Sequence, residues 1–274
     1  MQNRGILLPL ALSGLVGLTL SGCAGHDEDT APADPKAALT GSVAALKDGN
    51  FAFTAKTPEI DGTGAIHLPS KSASLDFTSK TADGEGAYQV RLVDPDSWVK
   101  ITVKDLDFGA QLQGADPNDP QVKGLMMLSD MFSGKAWMHF DKNKVKGDAA
   151  KDLSLDLSDG DITGVTDMVG AVATAQGDEH TITGTIDATK VTGDDGFLSA
   201  DDIKSTGATS VPFSAALDDQ GRLSSFEVDM PKSGDTPAGK WTLQISGYGQ
   251  QKAQEKPTGS VQEMPEPVYS SLNS

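Results

Sequence analysis

The sequence predicts an α+β domain built on an antiparallel sheet, and three observations carry that prediction. Short segments with apolar residues at every second position recur from Phe51 onward, each closed by Gly, Asp or Pro. Stretches with helical spacing stand at the start and in the middle of the chain. A single cysteine excludes an internal disulfide, so an ordinary hydrophobic core must hold the fold. Of the 274 residues 37% are hydrophobic but only 5% aromatic, so Val, Leu, Ile, Ala and Met build that core. The 30 glycines and 39 acidic residues fit many turns between short elements.

The first helix is expected from residue 35. Asp34 offers an N-cap and Pro35 a proline at the first helical position, Leu39, Val43 and Leu46 share one face, and Gly49 is a stop. The period then changes to two. Phe51, Phe53 and Ala55 alternate with small or polar residues, Asp61 and Gly62 read as a turn, and 65–68 is a second strand ended by Pro69. Residues 74–78, 88–92 and 98–103 continue the meander, with turns at 82–84 and 94–96. Such a sheet has one apolar face and needs something laid on it.

The middle of the chain supplies covers. Residues 121–132 hold Leu125, Met126, Met127, Leu128, Met131 and Phe132, and 161–172 place Ile162, Val165, Met168, Val169 and Val172 on an amphipathic stripe. Gly164 and Gly170 weaken that second helix by about 1 kcal/mol each relative to Ala. Met packs adaptably and is over-used where a surface fits varied apolar partners, while plain core is the other reading of the 125–132 cluster. Between the two, 137–140 is a strand. The last third is strand again: 180–188, an Asp- and Gly-rich excursion at 193–205, a hairpin of 211–217 with 222–230, and 241–246. No repeat or second linker divides the chain, so 35–249 reads as one domain and the polar, Pro-bearing 250–274 as a disordered tail.

Charge and motifs exclude several functions. The formal net charge is -17, which repels nucleic acid and makes a nucleic-acid partner untenable. His26, His67, His139 and His180 are far apart and show no metal-ligand spacing. The Asp-rich stretches at 94–96, 159–161 and 194–196 do not fit a calcium loop and read as turns of an acidic protein. There is no Gly-x-Ser-x-Gly elbow, phosphate loop or dinucleotide fingerprint. Neither an enzyme nor a cofactor is expected, and the Lys142, Lys144 and Lys146 patch reads as a solvated loop.

The N-terminus carries an address. Arg4 gives a positive n-region, 6–20 is an uncharged apolar run, and Leu20, Ser21 and Gly22 place small residues before Cys23. The run is shorter than the ~20 residues of a membrane span and is interrupted by Pro9, Gly14 and Gly17. Leu20-Ser21-Gly22-Cys23 resembles the lipobox of bacterial lipoproteins. The resemblance implies lipidation of Cys23, a signal peptide at 1–22, a flexible tether at 23–34 and anchoring to the extracytoplasmic face of the cell membrane. Loss of Arg4 with the signal leaves 21 basic residues against 39 acidic, a net charge of -18.

Further stretches resemble one family. They are Ala44-Ala45-Leu46-Lys47 leading into Phe51-Ala52-Phe53-Thr54, then Trp98-Val99-Lys100-Ile101, and Val211-Pro212-Phe213 with Asp219-Gln220-Gly221-Arg222-Leu223. The closing Leu243-Gln244-Ile245-Ser246-Gly247-Tyr248-Gly249 completes the set. Together they resemble the actinobacterial lipoproteins that include the mycobacterial triacylglyceride and lipoglycan carriers, related in fold to the periplasmic lipoprotein carriers. The resemblance implies a curved antiparallel half-barrel with helices across its concave face, enclosing an apolar cavity for the acyl chains of a lipid or glycolipid. Leu125, Met127, Met131, Met168 and Val172 would then face the cavity from helices, with Phe51, Phe53 and Val90 on the sheet. The alternative is a non-enzymatic envelope interaction or sensor module without a lipid ligand.

Overall fold

The alternating segments pair into a single open sheet. The computed structural model describes residues 34–81, 84–104, 112–145, 157, 160–193, 196–197, 200–233 and 238–273. The predicted signal, Cys23 and the tether as far as residue 33 lie outside the described residues. The strands are β1 Asn50–Lys56, β2 Ile60–His67, β3 Ser72–Thr81, β4 Gly84–Val93, β5 Asp96–Val103 and β6 Trp137–Asp141. They are followed by β7 Val172–Gly177, β8 Thr181–Asp187, β9 Ser210–Leu217, β10 Leu223–Met230, β11 Gly239–Ser246 and β12 Val261–Glu263. All 12 join in the order β12-β6-β5-β4-β3-β2-β1-β11-β10-β9-β8-β7. Every pairing is antiparallel except β12 against β6.

Among the described residues five short α-helices accompany the sheet: α1 Pro35–Ser42, α2 Pro120–Phe132, α3 Val165–Gly170, α4 Ala200–Ser205 and α5 Glu266–Leu272. Their starts follow local chemistry. Asp34 accepts from Lys36 N at 3.0 Å ahead of Pro35, and Asp119 accepts from Gln121 N at 2.8 Å ahead of Pro120. After α1 the chain tightens into a 3-10 segment, Ala44–Asp48, and stops at Gly49 in the left-handed conformation, φ 55°.

Strand register assigns the two faces. Phe53 lies opposite Gly64 and Ile245, Gly64 opposite Leu75, Leu75 opposite Val90, Val90 opposite Val99, and Val99 opposite Met138. Because side chains alternate along a strand, these residues and those two positions away share one face. That face is apolar from β6 to β7. Its main core joins Leu39, Val43 and Leu46 of the N-terminal helical segment, Val165, Met168 and Val169 of α3, and Ala200 and Ile203 of α4 to strands β1–β3 and β7–β11. A second, smaller core at the β6 edge holds Met138, Val145, Met264 and Tyr269, with Met131 of α2 packed against it.

Four expectations are corrected. Asp61 and Gly62 do not form a turn: the chain reverses at 57–59, where Thr57 Oγ1 accepts from Ile60 N at 2.9 Å, and Gly62 lies inside β2. The helix expected over 161–172 is confined to α3, because Gly164 takes a left-handed φ of 76° at its start and Gly170 ends it. Val172 therefore belongs to strand β7, where it pairs with Ile186. Part of the acidic excursion is the helix α4, held by fully buried Ala200 and nearly fully buried Ile203.

The fourth concerns the tail. Residues 250–273, expected to be disordered, carry β12 and α5. Gln251 N donates to Asn50 Oδ1 and Gln254 N to Ser72 Oγ, both at 2.8 Å, and Met264 and Tyr269 are buried. A polar composition signals too little apolar surface to fold alone. Here the sheet edge supplies the missing surface and the hydrogen-bond partners.

Candidate functional site

Between the two cores the apolar face is incompletely covered. Going from β3 to β5, Phe77, Leu92, Val90, Val99 and Ile101 are half-buried, and Tyr88 is 40% exposed. Register sets them side by side: Phe77 opposite Tyr88 and Tyr88 opposite Ile101, then Leu75 opposite Val90 and Val90 opposite Val99. They form an apolar strip between the main core, against which Phe77, Val90 and Leu92 pack, and the smaller core, against which Val99 packs.

Two glycines shape the strip's inner border. A Cβ at Gly64 would fall on the Phe53 ring and 2.9 Å from Leu75 Cδ2, and one at Gly62 would fall on the Phe77 ring. Both rings therefore lie over the backbone of β2 and occupy the volume that side chains at 62 and 64 would take. The glycines thus keep this floor low, at the entropic cost that Gly carries in a strand.

Helix α2 forms the other border. None of its residues is buried: Val122, Leu125, Met127, Leu128, Met131 and Phe132 are half-buried and Met126 is 45% exposed. A helix this apolar is ordinarily sunk in a core. This one is held mainly at its C-terminal end, by a bridge between Ser133 and Thr102 of β5 and by Met131 against the smaller core.

The expected site residues separate into three places. Phe51, Phe53, Met168 and Val172 are buried in the main core, with Phe51 fully enclosed and 6.0 Å from the Tyr248 ring. Val90 lies on the floor of the strip, and Leu125, Met127 and Met131 lie on α2. All eight belong to the elements of the apolar face or its covers, but the first four are packed in the core and not on the strip. Sequence reasoning missed Tyr88, Phe77 and Ile101, although their alternation with polar neighbours was readable. It also missed Met264 and Tyr269, whose polar surroundings hid them.

The opposite face of the sheet is largely polar, and its described residues line shallow hollows. One is lined by Lys80, Glu85 and Lys104, another by Thr54, Thr63, Asp76 and Gln89. Lys104 and then Lys80 hydrogen-bond to the Glu85 carboxylate and hold its pKa at about 2. Among the described residues no group of three or more His, Cys, Asp or Glu side chains is placed to hold a metal ion. No described helix is long and apolar enough to cross a membrane. The chemistry the strip offers is burial of apolar surface. Compared with protein-family models the chain matches none, and no curated protein matches it.

Proposed function

We propose that this chain is a membrane-anchored extracytoplasmic lipoprotein that binds or transfers acyl-chain lipids along the strip between α2 and the main core. One observation carries the reading: a continuous row of half-exposed apolar side chains, Phe77, Tyr88, Val90 and Ile101, lies beside a helix that has no buried residue. Contiguous apolar surface of this kind marks binding sites more often than it serves stability. In this reading the open sheet is a half-barrel, its concave side carries the helices, and an acyl chain completes the cover. Each methylene removed from water contributes about 0.8 kcal/mol, so ten supply about 8 kcal/mol before the entropic cost of association. Met127 and Met131 adapt to chains of different shape. The resemblance in the lipobox and the strand motifs points the same way.

Native mass spectrometry of the purified, unlipidated domain tests the binding reading. An adduct of lipid mass that solvent extraction removes is the expected result; a ligand-free domain that takes up no added phospholipid or triacylglycerol overturns it. Metabolic labelling with a radioactive fatty acid tests Cys23 separately, and an unlabelled protein that still reaches the surface overturns the anchor. The exposure of Met126 and Tyr88 together favours a second reading, an envelope interaction module. A ligand-free domain that retains a specific protein partner through α2 would establish it.

A further inference from the structure

The C-terminal segment grips the β6 edge of the sheet from both faces. Its extended part crosses the strand ends through Asn50 and Ser72, and Trp137 N then donates to Ser260 O at 2.9 Å. β12 adds only three residues in parallel to β6, and Met264 N donates to His139 O at 2.9 Å. On the apolar face Tyr269 stacks against Phe140 at 5.5 Å, and its hydroxyl accepts from Asp141 N at 2.9 Å. On the polar face both ring nitrogens of His139 meet carboxylates: Nδ1 meets Glu263 Oε1 at 2.9 Å and Nε2 meets Asp96 Oδ1 at 3.1 Å. The imidazole stacks on Trp98 at 5.3 Å, and Lys256 of the same segment bonds Asp96 Oδ2 at 2.9 Å and lies 5.1 Å over Trp98.

We infer that residues 250–273 form a clasp whose hold on the β6 edge is set by the ionisation of His139. A neutral imidazole carries one N–H and donates to one carboxylate, leaving its other nitrogen's lone pair facing the second. Only the imidazolium donates to both Asp96 on β5 and Glu263 on β12. Among the described residues the charged and titratable groups nearest it are these two carboxylates, Lys256 on Asp96, and Asp141, which lies across the β5–β6 register from Asp96, with Arg91 and Lys100 each 5.2 Å over the Trp137 ring on the same face. Lys144, Glu266 and Tyr269 complete the clasp on the other side, where Lys144 pairs with Glu266 and lies 5.0 Å over the Tyr269 ring.

Burial pushes the His139 pKa down, but hydrogen bonds and charge from Glu263 and then Asp96 outweigh it and raise it above the ordinary 6.5. A raised folded-state pKa stabilises fully below the unfolded value and loses that contribution as pH rises through the folded one. The clasp is therefore tight below the ordinary 6.5 and loosens as pH rises through the raised folded-state value. Loosening uncovers the edge of β6 and the apolar side chains of Met138, Phe140 and Met131. This inference does not depend on lipid binding.

Hydrogen exchange on the intact domain at pH 6 and pH 8, expressed as protection factors, tests it. The amides of 261–272 are expected to lose protection several-fold at pH 8 while those of β9 and β10 keep theirs. His139→Gln abolishes the pH dependence. Glu263→Gln, at a carboxylate whose side chain is 68% exposed, leaves the fold intact and lowers tail protection already at pH 6. A wild-type tail with equal protection at both pH values overturns the inference. So does an unchanged pH profile in either variant.

Discussion

Replacing Gly64 by Ala tests whether the strip's floor is as tight as the packing implies. The new Cβ meets the Phe53 ring and lies 2.9 Å from Leu75 Cδ2, and both side chains are buried. Overpacking of this kind costs about 1–3 kcal/mol. Ala recovers about 0.5–1 kcal/mol through the backbone entropy that Gly loses on folding. Taking the middle of these ranges, the net is about 1–2 kcal/mol of destabilisation, or a fall of about 2–8 °C in Tm for a domain of this size. Gly41→Ala supplies the control, because it sits in α1 with nothing within 4 Å of its added methyl. There the same change gains about 0.5–1 kcal/mol and raises Tm. Calorimetric melts of the two variants beside the wild type read opposite signs. A Gly64→Ala protein that melts at or above the wild type refutes the argument that the Phe53 ring needs that space.

Four other outcomes are expected. Leu125→Asp with Met127→Asp lowers copurifying lipid at least tenfold in quantitative extraction yet leaves Tm nearly unchanged, since neither side chain is buried; Phe226→Ala, fully enclosed in the main core, costs about 3–5 kcal/mol in urea unfolding. Carboxyl NMR shows Glu85 titrating near pH 2, and its favourable contribution, present above the ordinary 4.5, disappears as pH falls through 2; Lys104→Ala moves the midpoint up. Tyr248→Phe removes the buried hydroxyl that donates to Leu223 O at 2.7 Å and costs about 0.5–1.5 kcal/mol in chemical unfolding.

What could be read from the sequence was set by local chemistry. Asp34 with Pro35, the alternation of Phe51, Phe53 and Ala55, and the loop at 218–221 each carry their structure within a few residues, and each appears in the fold. Gly62 misled because a glycine beside an aspartate looks the same in a turn and in a strand that must make room for a Phe ring. Val172 misled because helical spacing continues past Gly170 while the chain does not. The candidate site divided for a related reason. Apolar pattern identifies the face a residue serves, so Val90 and Leu125 were found, but it does not separate a packed position such as Met168 from a half-covered one such as Tyr88. Burial at that level depends on which cover reaches which strand. The tail was illegible because its stability lies in contacts with residues more than a hundred positions earlier, such as Glu263 with His139 and Asn273 with Lys144 O.

An open sheet keeps two edges, and unpaired edge backbone is a template for other chains. At one edge β7 is short, is irregular between Val172 and Thr174, and runs out into Gly177, Asp178 and Glu179, which offers a poor template. At the other edge the protection is the clasp itself, three paired residues followed by a docked helix. Removing that segment would leave Trp137–Asp141 bare beside an apolar surface. The bare edge would then offer the next molecule a strand to pair with, and the smaller core would lose Met264 and Tyr269. Residues 250–273 thus stand between the β6 edge and other chains, and preparations that lose them to proteolysis are expected to aggregate.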